Sequence, residues 1–444
     1  LFILQVANIN ASLLEAFIIF LPPIVLNIQK NIISLYSAQL ISVGAGFLNT
    51  LVLARMLGPS LQGEWALYLQ FTQFSTLLLS VGLPGALVYF IASGKLNVHN
   101  AQGIIRKVLF CAGIVLAAFT WLYAYSGNSW LLPNSLLTGW PLVLIPLHSL
   151  LLLAVQCQSA LLQAQNKFKK TAWIQLGGSL CLLVATVMLY VVFPSLNWPK
   201  LPILLVVYTS IGLAQWILLR EGLPSDNASM PFQGFAPLWQ YSALAFATNV
   251  IQFLNYKIDV WFLRFFECPP PDLGIYTLSV SLTQLLWLFP QALQSILFRD
   301  ISNRTDRENL YKETRRWTFL LVLYVFIAGL LGAVMARYLV PVLFGEAYAE
   351  VSSMIALLLG GIAPFGVIMI VSAYFSGTGR VWINFVSAII GFFVGVIFDV
   401  LWIPDYGIWG AASASIASYW STALFVLLVF FSEKKTTRSA ISEE

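Results

Sequence analysis

The chain has 444 residues, 59% of them hydrophobic and only 9% charged, with a formal net charge of +5. A soluble domain is about 45–50% apolar and about 25% charged, so an ordinary soluble enzyme is excluded: polar groups could not cover its surface. The length is instead to be counted in membrane spans of about 20 apolar residues each, with room for roughly a dozen.

In chain order, residues 1–28 are apolar but interrupted by Glu15 and the pair Pro22-Pro23, and they read as an extension outside the core fold. Six long apolar runs follow, at 31–54, 64–92, 108–125, 140–164, 171–193 and 201–219. A polar stretch over 220–237 reads as a cytoplasmic linker. Six more runs come at 238–266, 273–298, 317–343, 350–376, 381–402 and 407–431, before a polar tail over 433–444. Barrel strands would alternate polar and apolar over about ten residues, and no such pattern occurs. Helices satisfy their backbone polar groups internally, as lipid demands. The predicted fold is therefore an all-α polytopic membrane protein of about 12 transmembrane helices. It divides into an N-terminal lobe (29–219) and a C-terminal lobe (238–432). Gly82, Pro84, Pro290, Pro364 and Gly366 fall inside predicted helices, where they permit bends.

Lysine and arginine sort between the ends of these helices. Eighteen of the 23 basic residues lie in the tail and in segments assigned to one side, whereas Arg55, Lys200, Arg264 and Arg337 lie on the other and Lys257 lies within a helix. The positive-inside rule then puts both core termini in the cytoplasm. Trp130, Trp140, Trp198, Trp402 and Trp409 fall at outer helix ends, where an interfacial aromatic belt belongs. The +5 charge is thus accounted for by topology and calls for no nucleic-acid partner. Four scattered cysteines, two histidines and the lack of a Gly-x4-Gly-Lys-Ser/Thr loop lead us to expect no metal, disulfide, nucleotide or other cofactor site.

The halves also echo each other. "LARMLGPSLQGEWALYLQFTQ" (53–73) parallels "FLRFFECPPPDLGIYTLSVSLTQ" (262–284), matching Arg55 with Arg264, Gly63 with Gly274, Trp65 with Tyr276, and Thr72-Gln73 with Thr283-Gln284. Lobes with an even number of spans enter the membrane the same way, which gives a parallel internal repeat about an axis along the membrane normal.

Together with "GLPGALVYFIA", "KIDVWFLRFF" and "DYGIWGAASASIASY", these segments resemble the polysaccharide-biosynthesis (Wzx-type) flippases of the multidrug/oligosaccharidyl-lipid/polysaccharide exporter superfamily, over about residues 29–432. The resemblance implies two six-helix lobes around a central cavity. It implies transfer of a polyprenyl-pyrophosphate-linked oligosaccharide from the cytoplasmic to the outer leaflet of a bacterial inner membrane, by alternating access coupled to an H+ or Na+ gradient. The partners it implies are the lipid-linked oligosaccharide, membrane lipids, and a polysaccharide polymerase with glycosyltransferases.

Candidate site residues concentrate in the seventh predicted helix. Thr248, Gln252, Asn255 and Asp259 step by four, three and four residues, which puts them within roughly 60° of one another around a helix. Such a stripe reads as the lining of a wet cavity, since ionisable groups in membranes mark pathways or relays. The alternative is a structural pairing of Asp259 with Lys257 or Arg264. Lys257 lies about 200° from Asp259, so it either snorkels outward or reaches a neighbouring helix. The Lys257-x-Asp259 pair is similar to the family's helix-7 motif, which implies that the acid couples transport to a cation. Arg55 and Arg264, at the outer ends of helices 1 and 7, either attract a pyrophosphate or acidic sugar or suit the helix dipole and headgroup layer. Gln73 and Gln284 lie on polar stripes suited either to sugar hydroxyls or to helix packing. His148 reads as a packing residue or a proton relay, and Asp399 as interfacial.

Three functions compete. A flippase needs no nucleotide site and suits the short loops. A cation-coupled multidrug antiporter of the same superfamily needs acids deep in the cavity, and the reading finds one, Asp259. A membrane glycosyltransferase or polymerase needs a large loop with clustered acids or arginines, and neither 220–237 nor 299–316 offers one.

Overall fold

The computed structural model describes residues 30–442 except 93, 129, 193–198, 222–234, 303 and 305. The extension 1–28, Trp198 and most of the linker lie outside the described residues. Every long element is helical, and no strand occurs among the described residues. The helices are α1 (Lys30–Ser80), α2 (Leu83–Ala92), α3 (Val98–Tyr125), the short α4 (Asn134–Leu137), α5 (Pro141–Ala164), α6 (Phe168–Val192) and α7 (Lys200–Arg220) in the first half. The second half contains α8 (Phe235–Phe265), α9 (Pro270–Gln284), α10 (Leu288–Ser302), α11 (Arg307–Phe344), α12 (Glu350–Gly377) and α13 (Val381–Ser442). Among the described residues, nine helical stretches are long and apolar enough to cross a membrane.

Two of those stretches, Leu40–Ser80 and Val381–Ser432, contain 41 and 52 residues. At about 1.5 Å per residue, either would overshoot a hydrocarbon core of about 30 Å if straight. Each contains one glycine outside the helical region: Gly58 (φ 71°, ψ 171°) and Gly407 (φ 54°, ψ −129°). The reversal at Gly407 is tight, since a Cβ on Gly410 would lie 3.0 Å from the Ile403 nitrogen and against the Trp402 carbonyl. In an unbroken helix those residues stand about two turns apart. A second kind of bend occurs between α9 and α10, where Leu285–Trp287 forms a 3₁₀ turn. Pro290 supplies the cause: it has no N–H to give the Leu286 carbonyl. Val81 and Gly82, both at positive φ, separate α1 from α2.

Burial separates central from peripheral helices. The most apolar windows of α6 and α11 are each only 17% buried within the protein, whereas that of Glu346–Gly377 is 67% buried. The first two present their sides to lipid, and α12 is the core of its half. Among the described residues, four apolar clusters fill the interior. Two belong wholly to the first half and one wholly to the second. The fourth mixes both: Ala54 and Leu67 of α1 pack with Leu263, Tyr276, Phe344, Tyr348, Val351 and Ile408. The shared core therefore lies at the end of the bundle where α1 bends at Gly58.

Candidate functional site

Asp259 is 6% exposed, near the C-terminal end of α8. Its carboxylate accepts hydrogen bonds from the Tyr276 hydroxyl on α9 and from the Ser415 hydroxyl on α13, the latter at 3.3 Å. One helical turn earlier, the Asn255 side-chain oxygen accepts from the Ser418 hydroxyl at 2.7 Å, and Ser418 is also 2.8 Å from the Gly391 carbonyl. That close approach is specific to glycine: a Cβ on Gly391 would fall 3.1 Å from the Asn255 amide nitrogen and against Thr422. The polar stripe of α8 thus faces inward, onto α9 and α13 of its own half.

These groups border a cavity of about 20 Å³, which is room for about one water molecule. Asp259, Gln284, Thr283 and Ser415 give it its polar lining, and Tyr256, Tyr276, Trp287 and Tyr419 its aromatic walls. The Trp287 and Phe365 rings stack at 3.9 Å behind it. Asp399 completes the arrangement. It is 3% exposed, it feels the charge of Asp259, and its Oδ1 has no hydrogen-bond partner among the described residues. The expectation that Asp399 is interfacial is therefore corrected: the bend at Gly407 folds that end of the helix back into the protein. A carboxylate in a hydroxyl-lined pocket, with a second buried acid within electrostatic reach, can hold a proton or a small cation, because an uncompensated buried charge is costly.

Lys257 occupies a different face. Its backbone carbonyl accepts a hydrogen bond from the Gln70 amide of α1, so this part of α8 borders the first half. The ammonium is within electrostatic reach of Asp259, and no ion pair or hydrogen bond of it is found among the described residues.

The other expected residues are dispersed. Gln284 joins the Asp259 pocket, Gln252 is half-buried one turn before Asn255, and Gln73 is exposed on α1. Arg264 is half-buried within electrostatic reach of Tyr123. Arg55 donates to the Val342 and Leu343 carbonyls at the end of α11. His148 is 2% exposed, bonded to the Tyr68 hydroxyl and edge-on to Tyr208, so it is packed inside the first half. The sequence reading missed Tyr256, Tyr419, Ser415, Ser418 and Asp399 as site residues. Ser415 and Ser418 sat unnoticed among small residues, and Tyr276 drew attention solely as the match of Trp65. An acid inside the apolar run 381–402 was the one signal for Asp399.

The family model described as polysaccharide biosynthesis protein matches residues 28–297. A protein of Haloferax volcanii, described as the probable low-salt glycan biosynthesis flippase Agl15, is 21% identical over 411 residues, spanning 89% of this chain and 81% of its own. Among solved structures, the lipid II flippase MurJ in an inward closed conformation aligns at a TM-score of 0.69 and 15% identity, over 89% of this chain and 87% of its own. An inward-facing multidrug resistance MATE transporter of the MOP superfamily aligns at 0.64 and 13% identity, over 90% of this chain and 96% of its own. At such identities the two solved structures establish the shared fold.

Proposed function

The chain belongs to the polysaccharide biosynthesis protein family, and from that premise we propose that it is a flippase carrying a polyprenyl-pyrophosphate-linked oligosaccharide across a bacterial inner membrane. It acts as a transporter rather than an enzyme, delivering repeat units to a polysaccharide polymerase from glycosyltransferases on the cytoplasmic side. The relative described as a glycan biosynthesis flippase supports this reading through its match along most of both chains. The observation in the molecule that carries it is Lys257, a cation at the boundary between the halves with no ion pair among the described residues. A charge without an ion pair at membrane depth is expensive, and an anionic pyrophosphate passing between the lobes would compensate it.

The architecture we propose is two lobes, 29–219 and 238–432, of six spans each. Dividing α1 at Gly58 and α13 at Gly407 and counting α8 with the nine apolar stretches supports twelve spans. The ends at Gly58 and Gly407 face outward, and both core termini are cytoplasmic. The backbone of the tail continues α13 as helix to Ser442. Asp259, with Asp399 beside it, is the site at which an H+ or Na+ gradient drives the cycle.

The cation-coupled multidrug antiporter remains the second reading. Asp399 favours it, because a second buried acid within electrostatic reach of Asp259 is the feature that chemistry needs. Family membership weighs toward the flippase. Proteoliposomes loaded with a fluorescent oligosaccharide on a polyprenyl-pyrophosphate decide between them: protein-dependent exposure of the sugar to an external lectin is expected. Drug efflux without sugar exposure would replace the flippase with the antiporter.

A further inference from the structure

We propose that the Gly58 end of the bundle is the outer gate of the transporter, closed here by a seam of two glycines and latched by Arg55. Its purpose rests on the transport reading above, whereas its existence rests on packing alone. Gly63 and Gly274 come from opposite halves, each four residues after a proline that opens its helical segment (Pro59 and Pro270). They meet face to face. A Cβ on Gly63 would lie 2.6 Å from the Pro270 oxygen and 2.8 Å from the Gly274 nitrogen, and one on Gly274 would strike the Pro59 carbonyl. The opposing atoms are backbone and the Leu273 Cβ, which is fixed to the backbone, so no rotamer change can make room.

The latch crosses the same seam in both directions. The last carbonyls of a helix have no partner within it. Arg55, at the end of the first arm of α1, supplies donors to Val342 and Leu343 at the end of α11. In return the Tyr348 hydroxyl donates to the Ala54 carbonyl at 3.1 Å. Each half thus completes a helix end of the other. Arg55 is itself exposed, so water can take over its bonds when the halves part, and the latch is reversible. Lys200, by contrast, donates to Met56 within its own half at 2.7 Å, and so holds nothing closed.

Beneath the seam the closure continues inward. Gln70 bonds to the Lys257 carbonyl, and Phe74 stacks on Phe253 at 5.3 Å. The path from Gly63 to Phe74 is about 16 Å along the helix, roughly half of a 30 Å hydrocarbon core. Arg55 is therefore a positioning residue of the transport cycle, engaged in this state with helix-end carbonyls rather than with cargo.

The test measures the width of the gate without any substrate. With Cys111, Cys157, Cys181 and Cys268 replaced by alanine, spin labels go on Asn128→Cys and Ala347→Cys, exposed positions of the two halves near this end. Distances are then measured by pulsed electron paramagnetic resonance in lipid nanodiscs. The parent is expected to give one short distance. Arg55→Gln, Gly63→Ala and Gly274→Ala are expected to add a longer one, raising the open-to-closed ratio roughly tenfold, with Arg55→Lys partly restoring closure. Arg337→Gln, which removes another exposed cation assigned to the outer side, should leave the distances unchanged. Variants enter the comparison after circular dichroism and monodisperse elution show them folded, and Arg55→Gln changes an exposed side chain. Unchanged distances in Arg55→Gln, or an equal shift in Arg337→Gln, overturn the latch. Unchanged distances in a folded glycine variant overturn the seam. Failure of oligosaccharide flipping in proteoliposomes leaves these distances standing, so the gate and the substrate are judged separately.

Discussion

Asp259 draws its hydrogen bonds from three places: Tyr276 on one neighbouring helix, Ser415 on another, and the Val260 amide at 2.8 Å. Such convergence fixes the carboxylate in space, as an ion or proton site requires. Asp259→Asn keeps the shape and one acceptor while removing the charge. Ion-driven flipping in proteoliposomes is expected to fall at least about tenfold, equivalent to about 1.4 kcal/mol, with the protein still folded. Full activity in that variant would remove Asp259 from the coupling path. Tyr276→Phe tests the support of the site separately. A hydrogen bond to an ionised acceptor contributes about 1.5–3 kcal/mol, and a neutral one about 1 kcal/mol, so the fall in detergent unfolding temperature reports the state of the carboxyl. No fall at all would show that the phenol does not hold it.

At the scale of elements, the bends carry the architecture. Gly407 adopts φ 54° and ψ −129°, a conformation that a residue with a Cβ reaches only at a cost of about 1–3 kcal/mol. Gly407→Ala is therefore expected to lower the unfolding midpoint and the yield of folded protein. Gly44→Ala serves as the contrast, since it lies inside α1 with nothing within 4 Å of an added Cβ. There alanine should be neutral or stabilising by up to about 1 kcal/mol. Equal effects at the two positions would show that the reversal does not depend on glycine. The 3₁₀ turn before Pro290 is a different device: it redirects the chain through a missing donor and leaves Trp287 placed against the Asp259 pocket.

At the scale of the whole molecule, the proposed sidedness rests on the distribution of basic residues. Lys167 lies in the connection between α5 and α6, and Asn128 in the one after α3, at opposite ends of the bundle. A membrane-impermeant thiol reagent applied to intact cells should label Asn128→Cys and spare Lys167→Cys, with the reverse in inverted vesicles. The opposite pattern would invert the proposed topology. The packing has its own asymmetry, because the two halves share an apolar core at one end alone among the four clusters. A common core at one end, with each half keeping its own interior, is the packing that the proposed rocking of two lobes requires.

The sequence by itself determined the class, the helical content and the marked status of Asp259, because each follows from composition and local pattern, while the family was legible as a resemblance of motifs. Scarce charge makes a buried acid conspicuous, and a four-three-four spacing puts Asn255 and Asp259 on one face whatever surrounds them. The neighbours of that face were decided by tertiary structure. Tyr276, Ser415 and Asp399 are 17, 156 and 140 residues from Asp259 in the chain, and hydroxyls or small residues in apolar runs bear no mark of what they will touch. The same holds for Arg55: its sequence position suits cargo or membrane equally, and only the fold brings the end of α11 within reach of its guanidinium. Local periodicity can say which way a side chain points around its own helix. The packing of the helices, turned back at a few glycines, decides what it meets there.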